Sequence, residues 1–118
     1  MIENNWQLAV IDYDFGINAI KRTNAGLAAD LQKSIKTNCT RYLPDGTIVY
    51  VVAVNCEEYH GDSQIYHGLV RIADVYVPDT ECYDTIWCAF VHPILTEKDM
   101  IDVELRLGIS LSGYVKEV

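Results

Sequence analysis

The segment from Cys56 to Asp62 gathers the residue types that bind metals and carry acid–base chemistry. It reads Cys-Glu-Glu-Tyr-His-Gly-Asp, and a further histidine, His67, follows seven residues after His60. Imidazole, thiolate and carboxylate groups on a glycine-containing loop can hold a divalent ion or transfer protons. The spacing matches no structural zinc pattern, however, and His67 falls in a predicted strand. We therefore interpret the segment as a solvated acidic loop, and we expect no metal and no cofactor.

Two cysteine–histidine pairs have the spacing at which a thiolate and an imidazole could cooperate. Cys56 precedes His60 by four residues, and Cys88 precedes His92 by the same interval. An activated thiolate needs a neighbouring base or cation, whereas an acidic setting raises a thiol pKa. The second pair aligns only if its segment is helical. We therefore assign no catalytic residue, and we expect a non-enzymatic protein.

Tyrosine is the dominant aromatic residue, with eight copies in the chain. Its amphipathic ring suits half-buried positions and is enriched at interface hot spots. Two tyrosines bracket the acidic loop, which predicts a surface that faces a partner. The alternative is that these phenols merely line sheet edges. The predicted partner-binding residues are Glu57, Glu58, Tyr59, His60, Asp62 and Tyr66.

The charge of the chain is unevenly distributed. The net charge is −8, and residues 42–118 hold thirteen acidic side chains against four basic ones. Such a surface repels nucleic-acid phosphates and anionic membranes, so we expect neither as a partner. It attracts a basic protein surface and accelerates that encounter. The plainer interpretation is that the charge serves solubility alone.

The chain has the length and apolar content of one soluble domain. It has 118 residues, half of them hydrophobic, and no apolar run approaches the ~20 residues of a membrane span. The first residues lack the pattern of a signal peptide, so we expect a cytoplasmic protein. In that compartment the four cysteines, at positions 39, 56, 82 and 88, are expected to be reduced.

The first half of the chain predicts a strand, a helix and a hairpin. Residues 6–13 favour a short strand. Apolar positions over residues 17–35 recur with helical period, with a break near Asn24–Gly26 and a cap at Asp14. Asp12 and Asp14 could grip a cation, but we favour capping. Pro44-Asp45-Gly46 predicts a turn between strands over 40–43 and 47–54.

The second half predicts two more strands, a helix and a final strand. Residues 55–64 are expected to form a loop, and residues 65–77 a strand with a bulge at Gly68. Residues 85–92 fit either a strand or a helix, and we choose the strand because their composition is rich in β-formers. Thr96 and Gly108 are expected to bound a helix, and residues 109–118 to return as a strand.

These elements predict an α+β domain, residues 1–118, with a mainly antiparallel sheet covered by two helices. A meander of about four strands and terminal strands would form the sheet. The leading hypothesis is a small protein that docks on a basic partner, in the manner of inhibitors, immunity factors or host-takeover proteins of phages and mobile elements. The alternatives are a structural subunit of a homodimer, a larger homo-oligomer or a viral assembly, and a ligand-binding or metal-dependent enzyme that uses residues 56–67.

Overall fold

A computed structural model describes residues 5–37, 43–59 and 68–114. In chain order the elements are β1 (Gln7–Ile11), α1 (Tyr13–Lys21), α2 (Ala25–Thr37), β2 (Ile48–Tyr59), β3 (Gly68–Val77), β4 (Cys82–Trp87), β5 (Val91–Pro93) and α3 (Glu97–Leu107). Within the described ranges the five strands form one antiparallel sheet in the order β4-β3-β2-β1-β5, which confirms the α+β class. The strand predicted over residues 47–54 belongs to β2, which lies in the middle of the sheet.

Alternate residues of the strands feed two hydrophobic cores, one on each face of the sheet. Ala9 and Ile11 of β1 pack on one face against α1 and α2, in what we call the α1–α2 core. Val10, between them, packs on the other face with Val103 of α3 and with Leu111, in what we call the α3 core. The sheet is therefore covered on one face by α1 and α2 and on the other by α3.

The predicted first helix is two helices, divided at residues 22–24, which overlap the expected break at Asn24–Gly26 only at Asn24. The Asn24 Oδ1 accepts a hydrogen bond from the Leu27 N–H at the start of α2. Asp14 was the wrong cap, because α1 begins earlier than the apolar pattern suggested. Asp12 is the N-cap, and its Oδ1 accepts a hydrogen bond from the Phe15 N–H at 3.2 Å.

The turn predicted at Pro44-Asp45-Gly46 is present, but the strand expected before it is not confirmed. Gly46 has φ +85°, which a residue with a side chain seldom adopts, and the Thr47 N–H donates to the carbonyl of Pro44. Leu43 lies in no strand, and residues 40–42 lie outside the described ranges. Within those ranges β2 pairs with β1 and β3.

Residues 55–59 are strand and not loop, which corrects that part of the prediction for 55–64. Residues 55–59 pair with residues 68–72 of β3, so β2 and β3 extend together as a two-stranded ribbon. Residues 60–64 lie outside the described ranges. Polarity suggested a loop, but a strand can also carry polar side chains, because its hydrogen bonds to the neighbouring strand are made by the backbone. The predicted bulge at Gly68 is also wrong, because Gly68 pairs regularly with Tyr59 and the register shifts between Val51 and Ala53.

The ambiguous segment 85–92 is strand at both ends, so choosing the strand over the helix was mainly correct. β4 extends to Trp87, residues Cys88–Phe90 form a 3₁₀ turn, and β5 begins at Val91. The turn is packed closely against α1. A Cβ on Gly16 would stand 2.5 Å from the Ala89 carbonyl oxygen, so only glycine fits there.

The boundaries of α3 are confirmed, whereas the final strand is wrong over residues 109–114. Thr96 and Asp99 form a reciprocal capping box, and Gly108 ends the helix with φ +66°. The following segment turns instead of extending, and Leu111 is fully buried in the α3 core. Its N–H donates to the Glu104 carboxylate at 2.9 Å, which fastens the segment to α3. Residues 115–118 lie outside the described ranges.

Candidate functional site

The predicted partner-binding residues are only partly within the described ranges. Glu57, Glu58 and Tyr59 are the last three residues of β2, at the end of the ribbon. The other three, His60, Asp62 and Tyr66, lie outside those ranges, as does His67. The structure therefore places the first three in consecutive strand positions and leaves the remainder of the predicted surface a prediction.

The cysteine–histidine pairs gain no catalytic geometry. Cys88 begins the 3₁₀ turn and His92 lies in β5, so the helical alignment required for this pair is not present. Cys56, Cys82 and Cys88 carry free thiols, and Cys56 is exposed on β2. No group of three or more histidine, cysteine, aspartate or glutamate side chains in the described part of the chain is arranged to hold a metal ion.

A charged cluster joins α1, β5 and α3. Among the described residues Asp12 is the one charged residue that is fully buried. Its Oδ2 accepts a hydrogen bond from Arg106 Nη2 at 2.6 Å and lies 3.4 Å from His92 Nδ1. Burial raises the pKa of Asp12, but the hydrogen bonds from Arg106, the Phe15 N–H and His92, together with the Arg106 charge, outweigh it and lower the pKa.

The cluster orients an imidazole beside an open cavity of about 600 Å³. Phe15 covers the His92 ring, with centroids 4.2 Å apart, and Asn18 and Arg22 also line the cavity. A buried aspartate that holds a histidine is one part of a general-base site. The described lining contains no serine, threonine or cysteine that would serve as the nucleophile. The Asp12 carboxylate links α1, β5 and α3 through its contacts with Phe15, His92 and Arg106.

A row of aligned side chains crosses four strands on the sheet face that carries α3. Leu8 pairs with Tyr50, Tyr50 with Tyr76, and Tyr76 with Tyr83. Directly opposed residues of antiparallel strands project to the same face, so these four form one continuous row. The rings of Tyr76 and Tyr83 have centroids 5.1 Å apart.

Trp6 lies over this row and connects its members. Its ring centroid is 5.7 Å from that of Tyr76 and 6.2 Å from that of Tyr83. Exposure increases along the row, from 4% at Tyr50 and 9% at Tyr76 to 64% at Tyr83. The row is therefore buried beside α3 and open to solvent at β4. We call the open part, formed by Trp6, Tyr83, Asp79 and Glu81, the Tyr83 surface; the largely buried ring of Tyr76 contacts Trp6 and Tyr83.

A cavity of about 400 Å³ lies at the buried end of the row, between the sheet and the start of α3. The Tyr50 hydroxyl donates to the Tyr114 carbonyl at 2.8 Å, and the Tyr114 hydroxyl donates to Asp79 Oδ1 at 2.5 Å. Burial raises the pKa of Tyr50, and the hydrogen bond to Asp79 raises that of Tyr114. We call this cavity the Trp6 cavity. Its lining consists of Trp6, Leu8, Tyr50, Ile94, Leu95, Thr96, Glu97, Met100 and Tyr114.

Carboxylates lie beside the aromatic row. The exposed basic residues Lys21 and Lys33 lie on the α1–α2 layer. Asp79 and Glu81 are exposed in the turn before β4, beside Tyr83, and Glu97 is exposed at the Trp6 cavity. The aromatic row therefore lies next to carboxylates, on the face opposite these lysines.

The chain has no match among protein-family models, curated proteins or solved structures. Within the described residues, no helix has both the length and the apolar character that a membrane crossing requires. The function of the surface is therefore inferred from the geometry of this chain.

Sequence reasoning did not find the aromatic row. It identified tyrosine as a residue enriched at interfaces, but it assigned the contact to Tyr59 and Tyr66 because these bracket the most polar segment. Tyr50, Tyr76 and Tyr83 share a face only because of the strand register, which the irregularity between Val51 and Ala53 shifts. The available signal was the pair Tyr76 and Tyr83 on either side of the short turn that contains Pro78 and Asp79.

Proposed function

We propose that this protein acts by binding a basic segment of another protein. The observation that supports the proposal is the Tyr83 surface, where aromatic rings emerge from the core beside exposed carboxylates. Aromatic side chains anchor protein interfaces, and complementary charge accelerates association and selects the partner. Tyr83 has an exposed fraction of 64%, which is high for a ring that belongs to a packed row.

The end of the ribbon is the second place where the same partner could make contact. It carries Glu57, Glu58 and Tyr59, three of the residues that the sequence predicts for this role, and the predicted Asp62 follows them in the chain. The ribbon extends past the Trp87 end of β4, whereas Tyr83 lies near the other end of that strand. Substitutions in the two regions therefore distinguish two docking positions for one partner.

The test is a binding titration with an oligoarginine peptide as the basic probe, at two ionic strengths. We expect Glu81→Lys to bind at least about fivefold more weakly and with a shallower salt dependence. The control is Asp30→Lys, which changes the net charge equally but lies on α2. The control should retain most of the affinity, because its charge lies away from the Tyr83 surface.

The ribbon is tested in parallel with Glu57→Lys, Glu58→Lys and Asp62→Lys combined. A loss confined to this variant would move the docking position to the ribbon and retain the basic partner. Losses that follow only the change in net charge, in the control as in the other variants, would mean that net charge alone attracts the probe. Failure of the unmodified protein to bind the probe would refute the proposed function.

A second candidate function is self-assembly through α3. Ile101 and Leu105 are one helical turn apart and have exposed fractions of 50% and 81%. Lys98 and Asp102 lie beside them, so this face carries both signs of charge and does not repel a second copy. Sedimentation of the unmodified protein and of Leu105→Lys tests this function. A dimer or larger species that dissociates in the variant would favour it, and a monomer in both would exclude it.

A further inference from the structure

We propose that the Trp6 cavity binds the side chain of one arginine or lysine residue of the partner, with Glu97 pairing with its charge. This inference rests on the proposed function, since it names the part of the basic segment that anchors it. The Trp6 cavity differs from the Tyr83 surface in being concave and in having a mainly aromatic and aliphatic lining. The cavity can therefore enclose one side chain of the partner, whereas the Tyr83 surface would contact a longer part of the partner's basic segment.

The polar groups of the lining argue against an anion. Glu97 is the one charged residue among those that line the cavity, and no lysine or arginine joins it. The two tyrosine hydroxyls donate within the protein, Tyr50 to the Tyr114 carbonyl and Tyr114 to Asp79. The Thr96 hydroxyl accepts a hydrogen bond from the Asp99 N–H in the capping box. A phosphate or carboxylate would meet the Glu97 carboxylate and, among the lining residues, no lysine or arginine side chain.

The same groups favour a cation on an aliphatic stem. Aromatic faces attract ammonium and guanidinium groups, and Trp6, Tyr50 and Tyr114 supply three such rings. Leu8, Ile94 and other aliphatic lining residues offer apolar contacts for the methylene groups of arginine or lysine. A purely apolar side chain would fill the same space but leave the Glu97 carboxylate without a partner from the ligand.

The position of Trp6 connects the cavity with the docking surface. The indole lines the Trp6 cavity and also contacts Tyr76 and Tyr83. A chain that places one side chain in the cavity therefore continues directly over Trp6 towards the Tyr83 surface. The volume of about 400 Å³ is at the small end of the range for ligand pockets, which suits one side chain.

The experiment follows the two tryptophan indole signals by NMR during titration with oligoarginine and with its citrulline counterpart. Citrulline keeps the shape of arginine and removes its charge. The second tryptophan, Trp87, packs with the α1–α2 core on the other face, so its signal is an internal control. We expect oligoarginine to shift the Trp6 signal saturably and not the Trp87 signal, and we expect citrulline to bind at least about tenfold more weakly. Trp87→Phe assigns the signals.

The matched variants are Glu97→Gln and Asp30→Asn, each of which removes one negative charge. Glu97→Gln should weaken oligoarginine binding about three- to fivefold, and Asp30→Asn less than about twofold, because Asp30 lies on α2. If the citrulline peptide binds as tightly as oligoarginine and shifts the Trp6 signal, the assignment of a cationic side chain to the cavity is overturned. Arginine-dependent binding with neither a Trp6 shift nor an effect of Glu97→Gln would overturn the cavity assignment but leave the proposed function intact. No binding of oligoarginine at all would refute both.

Discussion

The carboxylate of Asp12 accepts a hydrogen bond from the guanidinium of Arg106 at 2.6 Å, although 94 residues separate the two in the chain. Asp12 is fully buried, while the Arg106 side chain has an exposed fraction of 39%. The same carboxylate caps α1 and lies beside His92 of β5. One side chain therefore connects the beginning and the end of the described fold, around the β5 edge of the sheet.

We expect Asp12→Asn to lower the free energy of unfolding by about 1–3 kcal/mol, because hydrogen bonds to charged groups contribute about that much. Urea denaturation at neutral pH measures the change. Asp14→Asn is the control, since Asp14 is exposed in the same turn of α1 and should change stability by less than about 0.5 kcal/mol. Equal effects of the two variants would contradict a special role for Asp12.

Stability should fall as the pH is lowered through the acidic range. The pKa of Asp12 is below its ordinary value for the reasons given above. That of Asp99 is lowered mainly by the hydrogen bond from the Leu95 N–H, with Thr96 and the charge of His92 adding to the effect against desolvation. A carboxyl group whose pKa is lower in the folded state contributes stability above its unfolded pKa of about 3.9 and loses it as the pH falls through the folded value.

Thermal unfolding at several pH values between about 3 and 7 measures this dependence. Asp12→Asn combined with Asp99→Asn should flatten the acid limb of the curve, because neither amide titrates. A variant curve parallel to that of the unmodified protein would show that other carboxylates cause the loss.

Gly16→Ala should destabilise the fold by about 1–3 kcal/mol, although alanine is the better helix former. The added Cβ would stand 2.5 Å from both the Ala89 carbonyl oxygen and Phe90 Cδ1, so α1 would have to move away from the 3₁₀ turn. Gly113→Ala is the control, because nothing lies within 4 Å of its added Cβ. Melting temperatures of the two variants measure the difference. A stabilised Gly16→Ala protein would contradict the close packing.

Val49→Asp should unfold the domain. Val49 lies in the central strand β2 with an exposed fraction of 0%, and an unpaired buried carboxylate costs several kcal/mol. That cost approaches the 5–15 kcal/mol by which such domains are typically stable. Val51→Asp, at a half-buried position of the same strand, should act in the same direction but more weakly. Val54→Asp is the control, because its exposed fraction is 41%. A cooperative melt of Val49→Asp near the unmodified temperature would contradict the topology.

The elements that could be predicted are those whose signals are local. Thr96, Asp99 and Gly108 bound α3 because capping depends on residues within one helical turn of each end. The strands β1, β2 and β3 were found from runs of β-branched and aromatic residues. The start of α1 was missed because the apolar pattern begins only at Ile17, whereas the helix begins at Tyr13 with Asp12 as its cap.

The candidate site depends on relationships that the sequence does not encode locally. The row from Leu8 to Tyr83 requires the register of three strand pairs, and a shift of one residue would send each tyrosine to the opposite face. The Trp6 cavity further requires α3 to lie over that face. Counting tyrosines and acidic residues therefore predicted a surface that is both aromatic and acidic. Its position could be found only from the folded structure.

The β2–β3 ribbon divides the protein into regions of unequal local stability. Beyond Ile72 its backbone hydrogen bonds join only two strands in the described part of the chain, and an isolated pair of strands is barely stable in water. The amide hydrogens of residues 56–59 should therefore exchange with solvent through local opening. Those of Val49 and Val75 should exchange only when the whole domain unfolds. If a partner docks on the ribbon, the exchange of these amides should slow towards that of the core. Deuterium uptake at residues 56–59 would then report binding at the ribbon without a dye attached to the protein.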